Sequence, residues 1–172
     1  PQRQFLLNIV VSLALFKTLE TIQIPKLSIK WPNDILSHDK KIAGILIELI
    51  LKKNTIDKAI IGIGLNVNQT NFKDLPSASS LQNITGIHYD LNELLHKLLE
   101  NFKYYFSIKN TAELWTTYEN LLFRKDKPST FVGLSGDLFS GIIKGVSQQG
   151  KLMVKTENSI EEFDLKSIKL LY

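Results

Sequence analysis

KIAGILIELILKKNTIDKAIIGIGLNV, residues 41–67, is two long apolar runs separated by a short polar break. Ile42 to Leu51 and Ile56 to Val67 are rich in β-branched residues, and Lys52-Lys53-Asn54 between them is turn material. The pair reads as neighbouring antiparallel strands at the centre of a sheet. Both runs are apolar at successive positions, so cover is expected on each face. Glycine is out of place in such a strand, because it packs nothing and often marks the close approach of a ligand or another backbone. Gly44 interrupts the first run, and Gly62 and Gly64 interrupt the second. Gly62 and Gly64 face the same way by the two-residue period. Glycines on adjacent strands would leave a flat, backbone-lined trough that a planar fused ring could occupy. A bulge or a fit against a helix is the other reading of Gly44. Gly62-Ile63-Gly64 is not a dinucleotide loop, since no third glycine follows at the required spacing and no helix opens there.

Working outward, Phe5, Leu6, Ile9, Val10, Leu13, Phe16 and Leu19 recur at helical spacing and predict a helix over residues 3–21, stopped before Pro25. Leu27 to Trp31 predicts a strand cut off by Pro32, with Asn33-Asp34 as turn chemistry and Ile35-Leu36 beyond it. After a polar loop over residues 68–80, Asp90 and Glu93 form a capping pattern for a helix running to about Phe106. Leu114, Trp115, Tyr118, Leu121 and Leu122 place a further helix over residues 111–123. Arg124 to Pro128 is charged and contains a proline, which marks a domain boundary. Beyond it, short strands at 131–134, 138–146, 151–155, 160–165 and 168–171 are punctuated by glycines, as in a small barrel.

Composition sets the limits. A chain of 172 residues with 44% hydrophobic and 22% charged residues can build a real core. The net charge of +4 is spread along the chain, without the basic stripe and interleaved aromatics of a nucleic-acid surface. The chain contains no cysteine, which excludes disulfides, thiolate catalysis and cysteine-based zinc sites. Phe5 to Leu19 reads as too short for a bilayer span and is broken by Asn8, Ser12 and Lys17, so no membrane partner is expected. The chain opens on Pro1 and reads as a piece of a longer polypeptide.

Few side chains stand where chemistry could use them. Lys41 is either a point charge for phosphate or carboxylate oxygens at a strand end, or a solvated turn lysine like its neighbour Lys40. Asn33, Asp34 and Asn66 lie at the ends of apolar runs. A side-chain amide there can read the edge of a purine or a ureido group, or can cap a turn. Glu48 would partner a lysine. His38, His88 and His96 have no metal-ligand spacing and read as surface residues, so no metal site is expected.

Lys30-Trp31-Pro32-Asn33-Asp34, then Lys41-Ile42-Ala43-Gly44-Ile45-Leu46-Ile47-Glu48, then Gly62-Ile63-Gly64-Leu65-Asn66-Val67-Asn68, with Ala78-Ser79-Ser80-Leu81 after them, resemble the motifs of the biotin protein ligases. The resemblance covers about Gln4 to Leu122, and the tail is similar to that family's small C-terminal barrel. It implies an α+β fold: a class II synthetase-like catalytic domain with a mixed sheet and packed helices over residues 1–124, and an SH3-like barrel over 125–172. It implies activation of biotin by ATP to biotinyl-AMP, with Mg²⁺ on the phosphates, and transfer to a lysine of a biotin carboxyl carrier protein. By the same resemblance Lys41 would contact the reacting carboxylate and α-phosphate. Gly44, Leu46, Gly62 and Gly64, with Lys41, would floor the biotin site. Asn33 and Asn66 would lie near the nucleotide, with Asp34 as a supporting carboxylate. A cytoplasmic location and a homodimer are further expectations. The family's Gly-Arg-Gly phosphate loop does not occur here, so the 172 residues alone are expected to be inactive. A lipoate ligase or transferase of the same architecture, and a non-catalytic binding module, are the alternatives.

Overall fold

The structure is a computed structural model that describes residues 2–53 and 55–172; Asn54, assigned above to the turn between the long strands, lies outside the described residues, as does Pro1. The first helix, α1, spans Gln2–Thr21. It is the centre of the core: Ile9, Val11, Leu13, Ala14, Leu15 and Leu19 are fully buried or nearly so. Those residues point in every direction around the axis, so α1 is covered on all sides over its middle turns. By length and composition α1 is apolar enough to cross a membrane, against the expectation that its apolar run is too short. Its burial inside the fold accounts for that apolar character.

Four strands follow: β1 (Leu27–Lys30), β2 (Asp34–Ser37), β3 (Lys40–Lys52) and β4 (Thr55–Leu65). They form one sheet in the order β1-β2-β3-β4, antiparallel at every pairing. The expected mixed sheet is therefore an antiparallel meander, because each strand returns through a short turn and parallel pairing needs a long crossover. β4, like β1, is an edge strand among the described residues and not a central one. The expected cover on both faces is also not met. Ile45 is buried, and Ile47, Ile61, Ile63 and Leu65 pack on the core, whereas Leu46 is 63% exposed and Ile60 55%.

Three helices complete this layer: α2 (Leu81–Thr85), α3 (Leu91–Ser107) and α4 (Thr111–Asn120). The carboxylate of Asp90 caps α3 by accepting from the amide of Glu93 at 2.8 Å. The Glu93 side chain pairs with Lys97 one turn on and does not close the expected box. The short α2 was not expected; Ser80 caps it, accepting from the amide of Asn83 at 3.0 Å. α3 and α4 both pack on α1.

The last strands are β5 (Pro128–Gly133), β6 (Leu138–Val146), β7 (Leu152–Lys155), β8 (Ile160–Phe163) and β9 (Ile168–Leu171). They form an antiparallel sheet in the order β8-β7-β6-β5-β9. A closed barrel is not seen: among the described residues β8 and β9 are edges, joined by a turn in which the amide of Ser167 donates to the carbonyl of Asp164. Phe131 is fully buried, with Phe139 stacked on it at 5.4 Å.

Candidate active site

The outward face of the first sheet carries the three glycines, Leu46 and Glu48 singled out above. Register puts Gly44 of β3 opposite both Asp34 of β2 and Gly64 of β4, and Leu46 opposite Gly62. Alternation along β3 puts Gly44, Leu46 and Glu48 on one side and Ala43, Ile45 and Ile47 on the core side. The glycines therefore do form a trough, floored by backbone, with Leu46 standing exposed at its middle.

The ammonium of Lys41 lies at the Asp34 end of this trough. Its Nζ is 2.6 Å from Asp34 Oδ1, and Lys30 Nζ is 3.7 Å from Asp34 Oδ2. Asp34 thus stands between two cations, with 15% of its side chain exposed against 45% for Lys41. An ion pair with a half-exposed lysine adds little to stability. What it does is fix the ammonium in space. Gly44 has a specific part in this: a Cβ there would lie 3.2 Å from Lys41 Nζ and 3.4 Å from Asp34 Oδ1. The missing side chain at Gly44 leaves room for the lysine head as well as for the trough. Lys40 points elsewhere, donating to the carbonyl of Pro76 at 2.9 Å.

Both asparagines have their amide NH₂ engaged in structure. Asn33 Nδ2 donates to the carbonyl of Ile45 at 2.6 Å, and the amide of Ile45 donates back to the carbonyl of Asn33. Asn66, one residue past β4, donates from Nδ2 to the carbonyl of Ser79 at 3.0 Å. The backbone of Lys41 bonds to Ser77 and Ser79 on either side of Ala78. The Ala78-Ser79-Ser80-Leu81 segment is thereby drawn up against the start of β3. Capping is thus a real role for both asparagines, and it holds the loops around Lys41.

A cleft of about 690 Å³ opens beside Asn33 and Leu46 and runs to the second sheet. That is within the usual range for small-molecule sites. Lys30 and Trp31 line it from one side, and Lys166 and Lys169 from the other. The sequence reading assigned no role to these four. Lys30 had a signal, since the Pro32-Asn33 turn brings it opposite Asp34; Lys166 and Lys169 had none, because their nearness depends on how the two sheets pack. Lys30 also sits 5.4 Å from the centroid of the Tyr172 ring. Burial, and then the nearby Asp34 charge, raise the Tyr172 phenol above its ordinary value. Glu48 is exposed on the trough face, without the expected lysine partner among the described residues. His38, His88 and His96 are exposed as expected, and no group of three metal-ligating side chains occurs among the described residues.

The arrangement is a flat apolar trough with a fixed cation at one end and a wider cleft, lined by lysines, beside it. Comparison with known proteins gives a consistent picture. Residues 1–66 match the model of the biotin/lipoate A/B protein ligase family. The bifunctional ligase/repressor BirA of Bacillus spizizenii is 29% identical over 175 residues, which is 95% of this chain and 52% of that protein. The chain thus spans about half the length of the curated relatives it matches. The crystal structure of biotin protein ligase from Aquifex aeolicus superposes with a TM-score of 0.80 at 30% identity, over 97% of this chain and 74% of that one. The same enzyme in complex with biotin and ATP superposes with a TM-score of 0.79 at 31% identity, over 97% and 71% of the two chains.

Proposed function

This chain belongs to the biotin/lipoate A/B protein ligase family, and on that premise we propose that it supplies the lysine-bearing part of a biotin protein ligase site. The reaction has two steps. A biotin carboxylate oxygen attacks the α-phosphorus of ATP, the bond to the β-phosphate oxygen breaks, and pyrophosphate leaves. The ε-amine of a lysine on a biotin carboxyl carrier protein then attacks the acyl carbon, loses a proton, and AMP departs.

The observation that carries this reading is the Lys41 ammonium, fixed by Asp34 over Gly44 at the head of the glycine trough. During adenylation negative charge moves from the attacking carboxylate onto the α-phosphate oxygens and the departing pyrophosphate, and a cation already in place stabilises it without reorganisation. Lys41 fills that role. Gly44, Leu46, Gly62 and Gly64 form the floor for the fused rings of biotin. Asn33, Asp34 and Asn66 face the nucleotide side; the amide oxygens of the two asparagines remain as acceptors. The cleft toward the second sheet has the size and cationic lining for the nucleotide phosphates. A magnesium ion fits only as a companion of ATP. No cluster of three acidic or histidine side chains occurs among the described residues, and Asp34 is the carboxylate beside Lys41. Such an ion is held by phosphate and water and offsets phosphate charge.

Residues 1–124 act as part of the catalytic domain and 125–172 as the second one, whose sheet is an opened version of the family's SH3-like barrel. A cytoplasmic location and a homodimer belong to the same reading. The test is to incubate the protein that carries this chain with ATP, a carrier domain and either biotin or lipoate. Intact mass should show one biotinyl group on the carrier and no lipoyl group. Lipoyl transfer would move the assignment to the other branch of the family. Binding of biotin with neither adenylate nor transfer would make the chain a binding module.

A further inference from the structure

The second sheet reaches the Lys30–Asp34 segment through a polar contact distant in sequence. The indole Nε1 of Trp31 donates to the carbonyl of Gly150 at 2.9 Å, across 119 positions. Gly150 lies in the turn between β6 and β7 with φ +85°, and its own amide donates to the carbonyl of Ser147 at 2.7 Å. Phe5 of α1 lies so close that a Cβ on Gly150 would come within 2.4 Å of its ring. The anchor is therefore tightly packed, and glycine is required there on two counts. The next residue is also held: the carbonyl of Pro32 accepts from Asn8 Nδ2 of α1 at 2.7 Å and from the Tyr118 hydroxyl of α4 at 3.3 Å. Asn33 is then clamped to Ile45 of β3, and the chain passes directly to Asp34 and its contact with Lys41.

Trp31, Pro32 and Asn33 lie between β1 and β2, where no ladder fixes the backbone. Their position is set by these point contacts, one from each surrounding element. We propose that Trp31 is a positioning residue, anchored by the Gly150 turn, through which the second sheet sets where Asp34 holds Lys41. The inference rests on the function proposed above. A fixed cation loses catalytic value when it drifts: misplacement by about 1 Å can cost on the order of a hundredfold. Trp31→Phe keeps an aromatic ring, smaller than the indole, and removes the donor, leaving the carbonyl of Gly150 without this partner and the ring free to tilt.

The experiment compares the full protein that carries this chain, as wild type, with its Trp31→Phe, Gly150→Ala, double and Lys155→Ala variants, the last on the far part of β7 as a control. Adenylation is read as pyrophosphate release, giving kcat and KM, beside melting temperature and the amide NMR shifts of Asp34, Lys41 and Gly44. Trp31→Phe should lower kcat about tenfold or more, with KM for biotin little changed. The shifts of Asp34, Lys41 and Gly44 should move in Trp31→Phe and stay in Lys155→Ala. If Gly150→Ala folds, its loss in kcat should not add to that of Trp31→Phe, since both break one contact. A Trp31→Phe protein with a lower melting temperature, wild-type kcat and unmoved shifts would overturn the proposal and leave Trp31 as packing only. A wild-type protein that releases no pyrophosphate would overturn the functional reading instead, while the amide shifts would still decide whether Trp31 positions Asp34 and Lys41.

Discussion

Lys41 and Lys40 are adjacent, yet only one can act. Lys41 turns its ammonium over Gly44 to Asp34, while Lys40 donates to the Pro76 carbonyl away from the trough. Lys41→Ala should leave the fold intact, because its ion pair is half-exposed and holds little stability. In the full protein that carries this chain it should cut adenylation about a hundredfold, the equivalent of ~3 kcal/mol in barrier height. Single-turnover pyrophosphate release would measure it, and a larger loss from Lys40→Ala than from Lys41→Ala would show that the wrong lysine has been assigned. Gly44→Val is a second probe of the same place. A Cβ alone sits 3.2 Å from Lys41 Nζ, a contact the flexible lysine end can yield to, but valine's two methyls extend into the trough. The variant should fold and lose most of its biotin affinity in calorimetric titration. Unchanged affinity in folded Gly44→Val would put biotin elsewhere. The sequence pointed to Lys41 and Gly44 through motif order. That Gly44 makes room for the lysine itself depends on a side-chain path across a bulged pairing, which no spacing rule contains.

At the scale of elements, the long helices were the most legible, whereas the five-residue α2 was missed. Periodicity and the Asp90 cap placed α3 to within about one residue, because both signals are local. β3 and β4 were legible as strands and misjudged in burial: an apolar strand at an open edge has the same composition as one sandwiched between layers. In the second sheet, glycines were read as punctuating the strands; Gly141, within the strand expected at 138–146, is a packing residue inside β6. A Cβ there would meet Val154 Cγ1 at 2.4 Å and the Lys155 carbonyl at 3.3 Å, whereas one on Gly64 would meet nothing nearer than 3.9 Å. Gly141→Ala should therefore cost about 1–3 kcal/mol by overpacking and Gly64→Ala much less, as read from urea midpoints. Equal effects would contradict the packing argument. α4 offers a pH signature. Burial pushes the Tyr118 phenol far above its ordinary value. In the unfolded chain it ionises above about pH 10 and in the native state it does not. Its contribution to stability is thus complete below that pH and falls as pH rises further, by about 1.4 kcal/mol per unit at most. Tyr118→Phe should flatten the decline between pH 10 and 11.5 in urea unfolding, with Tyr105 and Tyr172 acting alike in both proteins. Parallel declines would mean that the phenol is not protected.

Across the whole molecule, the two sheets differ in how completely they are covered. The second is filled by Phe131, Ile143, Val146, Leu152 and Val154. Among the described residues the first is packed on α1 from one side only, and its other face and its β4 edge are open. That asymmetry bears on what residues 1–172 can do by themselves. The trough has a floor, from Gly44, Gly62 and Gly64, and a cation at one end, but Leu46 and Ile60 stand exposed where a second wall would be expected. A mixed anhydride formed on that surface would remain in contact with water and hydrolyse. ATP held from one side would also lack the positioning that makes adenylation fast. The 172 residues alone should therefore give no detectable labelling of a carrier domain, and any pyrophosphate they release should be matched by free AMP. An open edge strand with exposed Ile56 and Ile60 also templates pairing. Light scattering should then show association that rises with concentration and falls when Ile60 is replaced by lysine, a charge that discourages edge-to-edge contact. The decisive comparison sets this chain beside a longer form of the same protein under identical biotin, ATP and carrier concentrations. Equal labelling by the two would mean that the open face needs no wall, and the account of the trough as half of a site would have to be given up.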